Sequence, residues 1–451
     1  MRDRLGLFAF AVALFATLAS CSSPRAAATA SPSVMESAVE EPAPASEAWR
    51  YTLPRGNLTS IVRADDVEIV SGAFGLIALD GRSGTVRWRT TSPQGLAIVA
   101  NRVLLTATTQ GGVEAREIRS GGVIWRNRRV CELKANGGWP PIGGASTVLA
   151  HGEDIIVGCQ FGGLARLDAR SGATLATTLA FEMDRVTSIV ALGRCAYAVT
   201  GYGSGAYLRT YAGIVACKTL DTILPQQEDN TVLGAMGNEA IVNDMCCMGR
   251  SGVYRPATIY RVSLTTHVRT PEVDLTPEPD RYPISTRPLG QGSIAALAGG
   301  TLYLFVDHAA YRYGDPRSLP SDPQRVADDF RNAPEIIDDS TALALTQRDD
   351  GTLFYSLLRL DSTGITTVWS AAEPPNFTTT ASWQGTYPAA IGYTLPGGRD
   401  AYLRLRGLRV LVSPDPACRS THADERRMIF ICDTKTLVGN TYVQYLAAYP
   451  W

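Results

Sequence analysis

Apolar and polar positions repeat along this chain in one recurring block. Its clearest copy is Gly75-Leu76-Ile77-Ala78-Leu79-Asp80-Gly81-Arg82-Ser83-Gly84-Thr85-Val86-Arg87-Trp88: an apolar run, a polar turn, and a second run ending on Trp. It recurs as GVEAREIRSGGVIW at 112–125, as GLARLDARSGATLA at 163–176, and more loosely as LLRLDSTGITTVW at 357–369. Period-two alternation around an Asp/Ser/Gly turn predicts a β-hairpin, with Gly supplying the positive φ of the turn. Two more short strand candidates precede the first copy, at 58–63 and 67–71. Each unit therefore holds four strands.

Repeated four-stranded units predict an all-β chain forming a single β-propeller. Copies are expected at 58–91, 96–127, 143–179, 186–219, 231–273, 292–327 and 333–370, with more strand material from 377 to about 446. That gives eight blades, with seven as the alternative. Ala48-Trp49-Arg50-Tyr51-Thr52-Leu53-Pro54 resembles the outer-strand segment Trp88-Arg89-Thr90-Thr91-Ser92-Pro93 but has no preceding strands of its own. An orphan outer strand makes sense if it completes the last blade and closes the ring, which removes exposed sheet edges. The connections expected to vary most are 132–145, 225–230, 245–257, 274–291, 314–332 and 414–427. Surface loops of this kind are where a propeller keeps its binding chemistry.

The pattern A-x-D-x-x-x-G-x-x-x-W, present as Ala78, Asp80, Gly84 and Trp88, resembles the repeat of pyrroloquinoline-quinone (PQQ)-type propellers. The resemblance implies that the outer-strand Trp packs between neighbouring blades. Trp88 fits the whole pattern, Trp125 and Trp369 fit its end, Trp49 is the orphan's counterpart, and Ala176 departs from it.

The first fifty residues change the picture from a fold to a location. Arg2 and Arg4 precede an apolar run from Leu5 to about Leu18, too short to span a bilayer comfortably. The run ends in Leu18-Ala19-Ser20-Cys21, which resembles the lipobox of bacterial lipoproteins, so residues 1–20 read as a signal peptide and Cys21 as the lipidated residue. Residues 22–46 are mostly Ala, Ser, Pro and Glu without an aromatic, a composition that predicts a disordered tether ahead of a propeller over 47–451. Ser22 rather than Asp after the cysteine implies, by the same resemblance, the outer membrane facing the periplasm in a Gram-negative cell. In a cell without an outer membrane the anchor is the outer face of the cytoplasmic membrane.

Export gives the cysteines a meaning, because disulfides persist outside the cytosol. Besides Cys21 there are eight: Cys131, Cys159, Cys195, Cys217, Cys246, Cys247, Cys418 and Cys432. Sequence leaves 105 pairings open. Cys418 with Cys432, flanking a polar loop from Arg419 to Ile431, is the leading expectation; Cys131 with Cys159 and Cys195 with Cys217 follow. No C-x-x-C occurs and the histidines (151, 267, 308 and 422) are far apart, so no metal site is expected. A net charge of -1 argues against nucleic-acid binding.

No nucleophile elbow, phosphate loop or H-E-x-x-H is present, and no catalytic residue is expected. The site-like oddity is Asp244-Met245-Cys246-Cys247-Met248. In PQQ-dependent alcohol dehydrogenases a vicinal disulfide covers the quinone, which makes a PQQ- and calcium-dependent dehydrogenase the first alternative. The surrounding residues Met248-Gly249-Arg250-Ser251 depart from that family's pattern. An envelope propeller binding glycans or another small ligand is the second alternative. The leading expectation is a scaffold without a cofactor, similar in plan to the propeller lipoprotein of the outer-membrane β-barrel assembly machinery. Its partners are then the membrane, through lipid on Cys21, and another envelope protein.

Overall fold

The computed structural model describes residues 46–450, apart from 132–143, 245–257, 276–293, 373–381 and gaps of five residues or fewer. Its described residues form nine four-stranded antiparallel sheets. Sheets I to VIII each use four consecutive strands, over 58–90, 94–127, 145–178, 185–228, 230–274, 294–327, 335–372 and 382–412. Sheet IX takes three strands over 418–450 and completes itself with the N-terminal strand Trp49–Thr52. That strand pairs in register Trp49↔Ala448 to Thr52↔Tyr445.

Every sheet packs its two faces on its two neighbours, which is why inner strands carry apolar residues in both directions. The strand Val67–Gly72 is buried at all of its positions. Ile69, Leu76 and Ala78 of sheet I meet Leu104 and Ile118 of sheet II. Leu343, Tyr355 and Leu357 of sheet VII meet Ala401 and Leu403 of sheet VIII. The last junction sets Trp49, Ile429, Ile431 and Leu446 of sheet IX against Ile61, Val70 and Ile77 of sheet I, so the ring is closed. Burial pushes the hydroxyl of Tyr449, on sheet IX, up to about 12, as expected where an ionised phenolate would lose its water.

The ninth sheet corrects the expected count of eight. Residues 377–446 were read as one blade, and they hold the whole of sheet VIII and most of sheet IX. The reason is chemical. The hairpin Asp400–Arg404 to Arg409–Val412 turns through Gly407 and Leu408 without an Asp-x-x-x-Gly signature or a following Trp. Two expected loops are also strand. Residues 222–228 continue sheet IV, and Asn230 opens sheet V, so 225–230 is no loop. Arg419 to Ile431 is a hairpin, with Arg419 opposite Ile431 and His422 opposite Ile429.

Consecutive antiparallel strands give the ring two distinct faces. First-to-second and third-to-fourth connections lie on a turn face, where they are mostly tight. Second-to-third connections and the passages between sheets lie on the other. The segments 132–143, 245–257, 276–293 and 373–381 all leave from and return to strand ends on this second face, the long-loop face.

Candidate functional site

The most regular site in the molecule is a joint on the turn face. Trp49 donates its indole Nε1–H to the Gly81 carbonyl at 3.0 Å. Trp88 does the same to Ile118 at 2.8 Å, and Trp125 to Ala169 at 3.0 Å. Each ring lies over the glycine three residues on: Gly84, Gly121 and Gly172. A Cβ at Gly84 or Gly121 would stand 2.8 or 2.6 Å from the indole, and one at Gly172 would overlap Trp125 likewise. The glycine is required twice, because all three also hold φ near +70°.

The turn is fastened by its own carboxylate. Asp80 accepts from the Arg82 and Ser83 N–H groups at 2.9 Å, and from Arg87 at 2.6 Å. The Arg87 guanidinium, and after it those turn amides, hold Asp80 far below the usual carboxylate range. Glu117 and Asp168 are lowered by the same turn, chiefly through Ser120 and Ser171. These joints are structural. They consume the polar groups that the repeat displays most prominently.

Where the Trp is replaced, the joint is rebuilt. Ala176 stands in the fourth strand of sheet III, and the turn of sheet IV carries Leu220 where the others carry Gly. Leu220 keeps the hydrogen bond of that turn, to Ala216 O at 3.0 Å, and the left-handed φ of +62°. Its side chain is fully buried and packs with Ala176. Trp369 half-buries against the cluster shared by sheets VII and VIII.

On the long-loop face the structure joins Cys131 to Cys159, with Cα atoms 5.6 Å apart, and Cys418 to Cys432, which face each other across the first two strands of sheet IX. The first bond ties the end of sheet II, where 132–143 departs, to sheet III. Cys217 is buried among the apolar residues between sheets III and IV, and its expected partner Cys195 lies outside the described residues. So do Cys246 and Cys247, the expected lipidation residue Cys21, the expected signal segment 1–20 and all of the expected tether but Ser46.

Buried polar groups are what the sequence reading missed. Glu114 is buried between sheets I and II, and pairs with Arg116 at 2.7 Å and Arg126 at 2.8 Å. Glu68 is buried with Arg63 at 3.1 Å. Between sheets IV and V, Asn230 donates to Gln227 at 2.6 Å and to the Tyr260 hydroxyl at 2.8 Å. The Arg269 guanidinium lies 3.6 Å over the Tyr260 ring, and burial pushes that phenol up to about 12. The signal was present for Glu114. It occupies the repeat position where the sister copies carry Ile77 and Ala165.

Among the described residues no three His, Cys, Asp or Glu side chains gather to hold a metal ion.

The sequence profile of the family described as outer membrane protein assembly factor BamB, a PQQ-type repeat family, matches residues 37–266, just over half of the chain. The chain belongs to this family. No curated protein matches it. Among solved structures it is similar to BamB from Moraxella catarrhalis, at 15% identity, over 74% of this chain and 88% of that one, with a TM-score of 0.37. It is also similar to the quinohemoprotein alcohol dehydrogenase ADHIIG from Pseudomonas putida (12%, over 90% and 76%, TM-score 0.45). A third is the computationally designed protein Ika8 (11%, over 81% and 98%, TM-score 0.43). At these values the structural likenesses assign no function.

Proposed function

We propose that this protein is a non-catalytic propeller scaffold of the bacterial cell envelope, anchored by lipid on Cys21, that binds another envelope protein through its long-loop face. The observation that carries the reading is the inequality of the two faces. The turn face is built of repeated joints whose carboxylates are committed to their own turn amides and whose indoles are committed to the backbone carbonyls of the neighbouring turn. The long-loop face launches the three longest connections, those that include 132–143, 245–257 and 276–293, and carries both disulfides seen among the described residues. Rigid strand ends bearing long connections are a common way to present a binding surface. Membership in a family described as an assembly factor of the outer membrane supports a protein partner and an envelope location.

The test is photo-crosslinking in growing cells, with the reactive residue placed at Arg128 or Thr258 on the long-loop face and at Arg119 or Lys218 on the turn face. A discrete crosslinked envelope protein from the first pair only is the expected result. Equal products from both faces overturn the face assignment. Appearance of a quinone absorbance after addition of PQQ and calcium overturns the non-catalytic reading.

A further inference from the structure

Charge in sheets I and II is sorted between the two faces. Six acidic residues occur between 55 and 131: Asp65, Asp66, Glu68, Asp80, Glu114 and Glu117. Asp65, Asp66, Glu68, Asp80 and Glu117 lie at or beside turn-face connections, and Glu114 is buried and held by two arginines. The long-loop rim of the same sheets carries Arg55, before the first strand of sheet I, and Arg89, near the end of its outer strand. It continues with Arg126 and Arg128 at the end of the outer strand of sheet II. All four are exposed. Arg126 uses one edge of its guanidinium on Glu114. No ion pair engages Arg55, Arg89 or Arg128 among the described residues.

We propose that this basic, acid-poor rim of sheets I and II docks an acidic segment of the protein partner. The inference rests on the scaffold reading and names the partner's chemistry at one part of the long-loop face. Three properties favour protein carboxylates. The cations are all arginines, whose planar fork pairs with a carboxylate through two parallel hydrogen bonds. Three of the four are on or beside outer strands, so their backbone is already ordered before they are engaged. Half-buried Tyr51 and Phe74 lie at the same strand ends, and arginine beside aromatic surface is the composition enriched in protein interfaces.

The experiment compares three forms of the protein released from its anchor by Cys21→Ala: otherwise unchanged, the rim variant Arg55→Ser/Arg89→Ser/Arg128→Ser, and the turn-face variant Arg82→Ser/Arg119→Ser/Arg170→Ser. Both triple variants remove three exposed charges and are expected to melt with the parent. The probes are poly-glutamate and phosphatidylglycerol vesicles, at low and at physiological salt. Poly-glutamate binding that weakens with salt, falls roughly tenfold in the rim variant and stays unchanged in the turn-face variant is the expected result, three exposed ion pairs being worth about that much. No poly-glutamate binding at low salt, or equal losses from both variants, overturns the proposal. Binding to the vesicles alone assigns the rim to lipid and also overturns it. None of these outcomes touches the crosslinking test, which reads the scaffold function directly.

Discussion

The junction between sheets II and III and the junction between sheets III and IV solve the same packing problem with opposite divisions of volume. In the first, a large outer-strand side chain, Trp125, meets an empty position, Gly172. In the second, a small one, Ala176, meets a large one, Leu220, which accepts a left-handed φ of +62° to sit there. What the fold requires is a filled joint between a fourth strand and the next turn. The Trp is one way of filling it. The Trp pattern is therefore a good guide to where joints are and a poor guide to how many there are.

Breaking the first kind of joint should have the largest effect. Trp125→Ala removes a buried indole and leaves its joint with Gly172 unfilled, at an expected cost of about 3–5 kcal/mol in denaturant unfolding. The double variant Trp125→Ala/Gly172→Leu imitates the III–IV joint and should recover about 1–2 kcal/mol of that loss. Gly172→Leu alone should destabilise, because its side chain collides with the indole. A double variant no better than Trp125→Ala would mean that the two joints are not equivalent.

Sheet IX, which shares the repeat joint only through Trp49, adds a different fastening. Replacing Cys418 and Cys432 by Ser should cost about 3 kcal/mol in the chain-entropy description of a loop of this size. Chemical denaturation with and without reductant checks it. Leu220→Gly should cost less, about 2 kcal/mol. It loses buried methyl groups, but the left-handed φ becomes free of strain. The smallest effect concerns acid. Asp80, Glu117 and Asp168 are depressed in the folded protein. A group with a lowered folded pKa contributes stability above its unfolded value and loses it as pH falls through its folded one. Melting should therefore be insensitive to these groups at neutral pH and fall below about pH 4. Asp80→Asn and Asp168→Asn should flatten that decline. Such exposed groups contribute little each.

How much was legible in the sequence follows from the same contrast. Sheets I to III were readable because Asp80 and Gly84 build one turn while Trp88 fills the joint with the next, and their counterparts repeat most of that division. The role of Trp49 as an outer strand was readable for the same reason. Sheets VIII and IX were merged because neither contains that turn, and the strand Arg427–Val438 buries Met428, Ile429, Phe430 and Ile431 in succession, leaving no alternation to read. The hairpin from Arg419 to Ile431 looked like a loop because its polar residues cluster near the turn. Glu114 and Asn230 were passed over because a polar residue in a strand ordinarily faces water, whereas here both faces of the sheet are covered. For the proposed binding surface, the sequence marked several loops as variable. Only the strand order shows that the longest connections share one face.

The closure of the ring by the N-terminal strand is tested most directly by two deletions. Residues 47–54 contribute Trp49 and Leu53, both buried between sheets IX and I, whereas 22–46 contain no aromatic residue. Thermal melting of the two truncated proteins beside the intact one decides the matter. Loss of cooperative melting, or a large drop in Tm, on deleting 47–54, with an unchanged Tm on deleting 22–46, is the predicted result. Equal melting temperatures for the two deletions would contradict closure by the N-terminal strand.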